Sequence, residues 1–246
     1  MHKLPSSTRR LFLLVPLVGS ILAGCGSPEP ADVVEKAKRI HELRKEADDC
    51  WARWLQSQNN PDGPDLAALK RSIACHEETT RITPAACPVC FANHARGLTN
   101  LGAYYENQLR ALEPKLESLS GDEKQELQAK IDEYREEMFK AFQLSNRQFE
   151  NYFESARQTS TPVDPDFYRW VLFNCEFLRD FHKALYYLDL YVASVQLTDE
   201  GKKNAEHHRT SYQLEIKRQQ EEKLRQDLSK ESGGAKDSQG AANSKK

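Results

Sequence analysis

Scarcity of glycine is the feature that most constrains the fold of this 246-residue chain. Only 11 glycines occur, and seven of them lie outside the segment with the pattern of a folded domain: Gly19, Gly24, Gly26, Gly63, Gly233, Gly234 and Gly240. An all-β fold needs many tight turns, and such turns depend on glycine. The sequence therefore predicts an all-α chain. Hydrophobic residues at 39% and charged residues at 29% suit layers of amphipathic helix better than one thick core.

Apolar residues recur at helical spacing in segments that are separated by turn signals. The cluster at 59–65, rich in Asn, Asp, Pro and Gly, ends a first helix that begins near Ala31. A second helix is predicted from about Leu66 to Thr80, and Pro88 suits the first position of a third. Later helices are predicted after cap or first-turn signals at Ser120 (a capping box with Glu123), Asp164-Pro165, Arg179-Asp180 and Thr198.

The two ends of the chain differ from this helical body. Residues 1–24 combine a basic start, a short apolar run and small final residues, which are the three parts of a secretory signal peptide. Residues 25–30 read as a short tether, and 31–228 as the helical domain. Residues 229–246 are too polar to bury a core, so they are predicted to form a disordered tail.

The segment Leu22-Ala23-Gly24-Cys25 resembles the lipobox of bacterial lipoproteins. The resemblance implies cleavage before Cys25 and a diacylglycerol on its sulfur, so that the chain is anchored in the cell envelope by lipid. Gly26 does not match the Asp that retains such proteins at the inner membrane in the enterobacterial rule. The predicted location in a host with two membranes is therefore the periplasmic face of the outer membrane.

Charge argues against nucleic acid as a partner. The leader holds three of the 35 basic residues and none of the 37 acidic ones, which leaves 32 against 37 and a net charge of −5. Binding to phosphates requires a basic surface instead.

A helical repeat is suggested by Leu98-x2-Leu101-Gly102-x2-Tyr105, and the register recurs with weaker residues at 168–175 and 184–188. These segments resemble the tetratricopeptide repeat (TPR). The resemblance implies antiparallel helical hairpins stacked into an α-solenoid, with small residues such as Gly102 allowing two helices to approach. A generic helical bundle is the alternative.

Four cysteines of the body are candidates for disulfides, because an exported chain meets an oxidising compartment. Cys50 and Cys75 are equidistant from a turn near Gly63, so they are predicted to be neighbours across a helical hairpin, and bridged if the backbones approach closely enough. Cys87 and Cys90 form a Cys-x-x-Cys motif at the start of a helix, where a thiol pKa is lowered.

Two further interpretations of the same cysteines remain open. One is thiol–disulfide chemistry at Cys87 and Cys90, although no βαβ pattern surrounds the motif. The other is zinc held by Cys75, His76, Cys87 and Cys90, although adjacent residues on a helix point in different directions. Cys175 is predicted to be a free, buried thiol.

No catalytic triad, phosphate loop or zinc-protease helix occurs, so the sequence predicts neither an enzyme nor a cofactor. The interpretation that we favour is a lipid-anchored adaptor or scaffold that binds another envelope protein through helical hairpins. The alternatives are the thiol–disulfide or zinc protein described above, and a helical structural spacer.

Overall fold

The computed structural model describes residues 30–61, 63–83 and 87–240. Within these ranges there is no strand, which confirms the predicted all-α class. The described part contains α1 (Pro30–Ser57), α2 (Leu66–Ile82), α3 (Pro88–Leu112), α4 (Gly121–Gln158), α5 (Asp166–Leu178), α6 (Phe181–Ser194) and α7 (Asp199–Gly240). A 3-10 helix, Glu113–Ser118, connects α3 to α4.

Local capping explains some helix starts and not others. Asp65 caps α2, because its carboxylate accepts a hydrogen bond from the backbone N–H of Ala68 at 2.9 Å. Ser120 occupies the cap position of α4, but its side chain makes no capping hydrogen bond. The next residue, Gly121, has a φ of 61°, a left-handed conformation that departs from the geometry a capping box requires. The capping box predicted with Glu123 is therefore not formed.

The helices pack mainly against their neighbours in chain order. Three hairpins form, α1 with α2, α3 with α4 and α5 with α6, and successive hairpins are joined by contacts of α2 with α3 and of α4 with α5. α7 packs on α6, and α3 also contacts α5. Serial packing of adjacent hairpins confirms the predicted architecture at the level of a helical bundle or solenoid.

Glycines allow α3 to approach both of its partner helices closely. A Cβ added to Gly102 would lie 2.6 Å from the ring of Phe142 on α4. A Cβ added to Gly97 would lie 2.8 Å from Cγ1 of Ile73 on α2. Because carbon atoms pack at about 3.5–4.0 Å, neither position accepts a larger residue without movement. This agrees with the expectation that Gly102 serves close helix packing.

A buried polar network connects three helices. The Thr99 hydroxyl on α3 donates to Oδ1 of Asn174 on α5 at 3.0 Å. The Asn174 amide donates to Oγ of Ser145 at 3.0 Å and to Oδ1 of Asn146 at 2.9 Å, both on α4. Ser145 in turn donates to the carbonyl of Ala95 at 2.8 Å. Since buried polar groups are costly unless they are paired, this network fixes the relative positions of α3, α4 and α5.

α7 extends to Gly240, past the boundary that the sequence predicted at residue 228. Its second half is rich in Glu, Gln, Lys and Arg between Lys217 and Lys230, and these residues have high helix propensity. No helix in the described ranges is both long enough and apolar enough to cross a membrane. The predicted leader at 1–24 and the lipid-attachment residue Cys25 lie outside the described residues.

Candidate functional site

The Cys-x-x-Cys motif lies at the amino-terminal end of α3. Cys87 is the cap residue, Pro88 occupies the first helical turn, and Cys90 follows in the same turn. The two cysteines form a disulfide with their Cα atoms 5.3 Å apart, within the usual range for a bridge. Cys87 is partly exposed and Cys90 is buried, while Val89 between them is 62% exposed. The disulfide predicted to involve these residues is thus present, and Cys87 is the more exposed of its two residues.

Arg44 on α1 brings a positive charge onto both sulfurs. Its Nη2 donates to Sγ of Cys87 at 2.8 Å and to Sγ of Cys90 at 3.0 Å. Among the residues that the structure describes, no carboxylate forms an ion pair with this guanidinium. Asp48, one turn further along α1, interacts with Arg44 only at longer range. The cation is therefore held against sulfur rather than against an acid.

A cleft of about 110 Å³ opens between side chains of α1, α2 and α3. Burial, reinforced by Asp49, raises the pKa of Asp48 in this cleft, an effect that Arg44 partly offsets. The volume has room for a few water molecules or for one small polar group of a ligand. Its lining consists of Asp48, Trp51, His76, Asn93 and Arg96.

Arg96 on α3 lies between two tryptophan rings from two other helices. Its guanidinium carbon is 5.8 Å from the ring centre of Trp51 on α1 and 5.8 Å from that of Trp170 on α5. Burial lowers the pKa of Arg96, and Asp164 partly offsets this effect. An arginine still stays protonated at neutral pH. No carboxylate pairs with it within the described part of the chain, so the rings supply the contacts to this charge.

Two buried histidines lie next to this cleft. Burial, with smaller contributions from Arg44 and Arg96, lowers the pKa of His76 to about 4. Burial and the nearby His76 lower the pKa of His94 to about 4 as well. The Nδ1 atom of His94 is buried without a hydrogen-bond partner in the described structure. Both imidazoles are therefore neutral at pH 7, and the positive charge of the site comes from the two arginines.

Zinc binding receives no support from the arrangement of these side chains. In the described ranges, no group of three or more His, Cys, Asp or Glu side chains is placed to hold a metal ion. Cys75 is instead buried among Leu43, Ala47 and Ile82. Cys87 and Cys90 are bonded to each other.

The predicted neighbours Cys50 and Cys75 are free, buried thiols and not a disulfide. Burial raises the pKa of Cys75 to about 11, with smaller opposing effects of Arg71 and Glu46 and a minor one of Cys50. The sulfurs have different partners: Cys50 accepts a hydrogen bond from Arg53 at 3.1 Å. Cys75 packs against Leu43 and Ala47, which precede Cys50 on α1, and the predicted bridge is not formed. Cys175 is free and fully buried, as predicted.

Sequence reasoning missed Arg44, Arg96 and Trp170. Arg44 had a usable signal, since it shares a face of α1 with Asp48 and Trp51 at spacings of four and seven residues. The sequence contained no signal for the contact between Arg96 and Trp170, because this contact depends on how α3 and α5 pack.

Comparisons of the chain with protein-family models, with curated proteins and with solved structures find no match. The resemblances to bacterial lipoproteins and to the TPR therefore remain predictions from the sequence.

Proposed function

We propose that the protein is a lipid-anchored adaptor that binds a carboxylate-bearing segment of another envelope protein where α1, α3 and α5 meet. One observation carries the proposal. Arg96 is partly buried between Trp51 and Trp170, and no carboxylate of the described residues forms an ion pair with it, since Asp164 acts only at longer range.

The chemistry of this group suits recognition of an acidic partner. A guanidinium presents a planar set of donors that matches a carboxylate, and the two tryptophan rings at 5.8 Å lie within cation–π range of it before the partner arrives. Tryptophan and arginine are also the residue types that most often dominate binding energy at protein interfaces. In the wall of the adjacent cleft, Asn93 and His76 offer further polar contacts to the same ligand, whereas the like charge of Asp48 opposes a carboxylate on its side of the cleft.

The proposed anchor is the lipid on Cys25. Because α1 begins at Pro30, only a few residues separate that cysteine from the first helix. An adaptor held in this way would keep its binding surface close to the membrane, where an envelope partner is concentrated.

Crosslinking in intact cells followed by affinity capture tests the proposal. We expect one or a few envelope proteins to be captured by the wild-type chain and lost with Cys25→Ser, which removes the anchor. The same proteins should be lost with Arg96→Gln, whereas Arg157→Gln is the matched control. Arg157 is an exposed arginine that pairs locally with Glu154 on α4.

Two results would count against the proposal. Capture that is equal for Arg96→Gln and Arg157→Gln would show that the tryptophan-flanked arginine is not the binding group. Capture that persists with Cys25→Ser would show that the anchor does not bring the two proteins together.

A further inference from the structure

Arg44 interacts more strongly with Cys87 and Cys90 when the pair is reduced than when it forms the disulfide. A disulfide sulfur is neutral and a weak acceptor, so the guanidinium at 2.8 Å and 3.0 Å gains little from it. When the pair is reduced, a thiolate at either position gains a charge–charge interaction with Arg44. No carboxylate in the described structure forms an ion pair with this cation, and Asp48 acts on it only at longer range.

The position of the motif at the start of α3 also favours the reduced form. Cys87 is the cap residue, so the sulfurs lie at the positive end of a helix of 25 residues. The unpaired N–H groups of a first helical turn stabilise a nearby anion. Both features therefore stabilise the reduced, thiolate form relative to the disulfide. A pair whose reduced form is stabilised is an oxidant of other thiols.

From these contacts we propose that Cys87–Cys90 is a redox-active disulfide that oxidises dithiols of protein substrates. The difference in exposure assigns the two roles. Cys87 is partly exposed and is the sulfur that a substrate attacks, while Cys90 is 3% exposed and is the leaving group. Val89, which is 62% exposed between them, offers an apolar contact to the peptide that carries the substrate cysteine.

The exchange balances without any further reactant. A substrate thiolate attacks Sγ of Cys87, the Cys87–Cys90 bond breaks, and Cys90 leaves as a thiolate beside Arg44. The second thiol of the substrate then loses its proton and attacks the substrate sulfur that is bonded to Cys87. The mixed disulfide breaks, and Cys87 leaves as a thiolate. The substrate has then lost two electrons and two protons and gained a disulfide, and the protein holds a reduced pair.

Three measurements on the purified full-length protein test this proposal. In the first, the oxidised protein is mixed with a synthetic peptide that contains two cysteines. We expect one oxidised peptide per protein molecule, and none with Cys87→Ser. In the second, the protein is equilibrated with mixtures of reduced and oxidised glutathione and alkylated after an acid quench. Mass spectrometry then follows the Cys87–Cys90 peptide separately from the other cysteines.

We expect half reduction of the Cys87–Cys90 pair in Arg44→Gln to require a glutathione mixture that is at least tenfold more reducing than for the wild type. This corresponds to a reduction potential that is lower by about 30 mV. The matched control is Arg39→Gln, which removes a positive charge from the same helix. Arg39 pairs with Glu78 at 3.0 Å. The control should stay within about twofold of the wild type, since a screened surface charge has little influence at a distance. Arg44→Lys keeps the charge and should fall between Arg44→Gln and the wild type.

The third measurement needs no variant and therefore stands even if Arg44→Gln fails to fold. The rate of alkylation of Cys87 in the reduced wild-type protein is followed against pH. We expect its midpoint below the value of about 8.5 for a free cysteine. The proposal is overturned by a midpoint at or above that value, by a peptide that stays reduced, or by equal shifts for Arg44→Gln and Arg39→Gln. A pair that stays oxidised in every glutathione mixture would identify a structural clamp. Loss of partner capture with Arg96→Gln bears on the adaptor function and leaves this proposal unaffected.

Discussion

Replacement of Gly102 by alanine tests whether the close approach of α3 and α4 limits the stability of the fold. The added Cβ would lie 2.6, 2.7 and 2.8 Å from three ring atoms of Phe142. That ring is fully buried and stacks on Phe177 with ring centres 4.9 Å apart, so a shift of the ring disturbs this stacking. Relief of the clash requires the ring or the helices to move by about 1 Å, given normal carbon contacts of about 3.5–4.0 Å.

The expected magnitude is the difference of two opposing effects. Overpacking of a filled core costs about 1–3 kcal/mol, and this overlap belongs in the upper part of that range. Alanine in a helix interior stabilises by about 1 kcal/mol relative to glycine. We therefore expect Gly102→Ala to lower the free energy of unfolding by about 2 kcal/mol. For a chain of this size that is a fall of about 4–8 °C in Tm.

Urea denaturation followed by circular dichroism at helical wavelengths measures the effect. Gly201→Ala in α7 is the control, because its Cβ would make ordinary contacts at 3.4 Å, and it should be neutral or slightly stabilising. Phe142→Leu makes room for the new methyl group. The double variant with Gly102→Ala should be at least about 1 kcal/mol more stable than the sum of the two single effects. A Gly102→Ala protein as stable as the wild type, or an absence of coupling with Phe142→Leu, would refute the reasoning.

Other predictions concern the buried polar groups and the thiols. Asn174→Ala should lower the free energy of unfolding by about 2–4 kcal/mol, because it leaves several buried partners unpaired; a urea midpoint unchanged from the wild type would contradict this. Since His76 and His94 titrate near 4 when folded and near 6.5 when unfolded, the unfolded chain binds more protons between these values. Stability is therefore complete above pH 6.5 and falls as the pH drops toward 4, by about 1.4 kcal/mol per pH unit for each histidine. His94→Leu should reduce the pH dependence of stability in this range by about 1.4 kcal/mol per pH unit, which is the contribution of one histidine. An unaltered dependence would show that His94 is not buried as a neutral imidazole. Cys75 and Cys175, whose pKa values burial raises to about 11 and about 12, should resist iodoacetamide at pH 8 until the chain is denatured; labelling of either thiol at the rate of a free cysteine would disprove their burial.

The helices could be predicted from sequence because their signals are local. Pro88 marked the start of α3, and the acidic turn at Asp199 marked the start of α7. Gly102 could be assigned a packing role because the resemblance to the TPR implies a small residue where two helices approach. Ser120 was the exception, since its capping box depended on a backbone geometry that Gly121 does not adopt.

Features that depend on three helices at once could not be predicted. The network around Asn174 joins residues far apart in sequence, and an asparagine in an amphipathic helix gives no sign that it is buried. The same holds for Arg96, whose two tryptophan partners lie on α1 and α5. Cys50 and Cys75 were predicted as neighbours from the geometry of the hairpin, but a bridge depends on rotamers that hairpin register does not determine.

The bond between Thr99 and Asn174 has a consequence for the kinetics of folding. Most helix contacts join neighbours in the chain, so they close short loops and form early, whereas this bond spans 75 residues. We therefore expect it to form after the transition state, once the hairpins α3–α4 and α5–α6 exist. A residue that is consolidated late governs how fast the native protein opens and not how fast it forms. Substitution of Asn174 should then shorten the lifetime of the folded chain while leaving the rate of its assembly nearly unchanged.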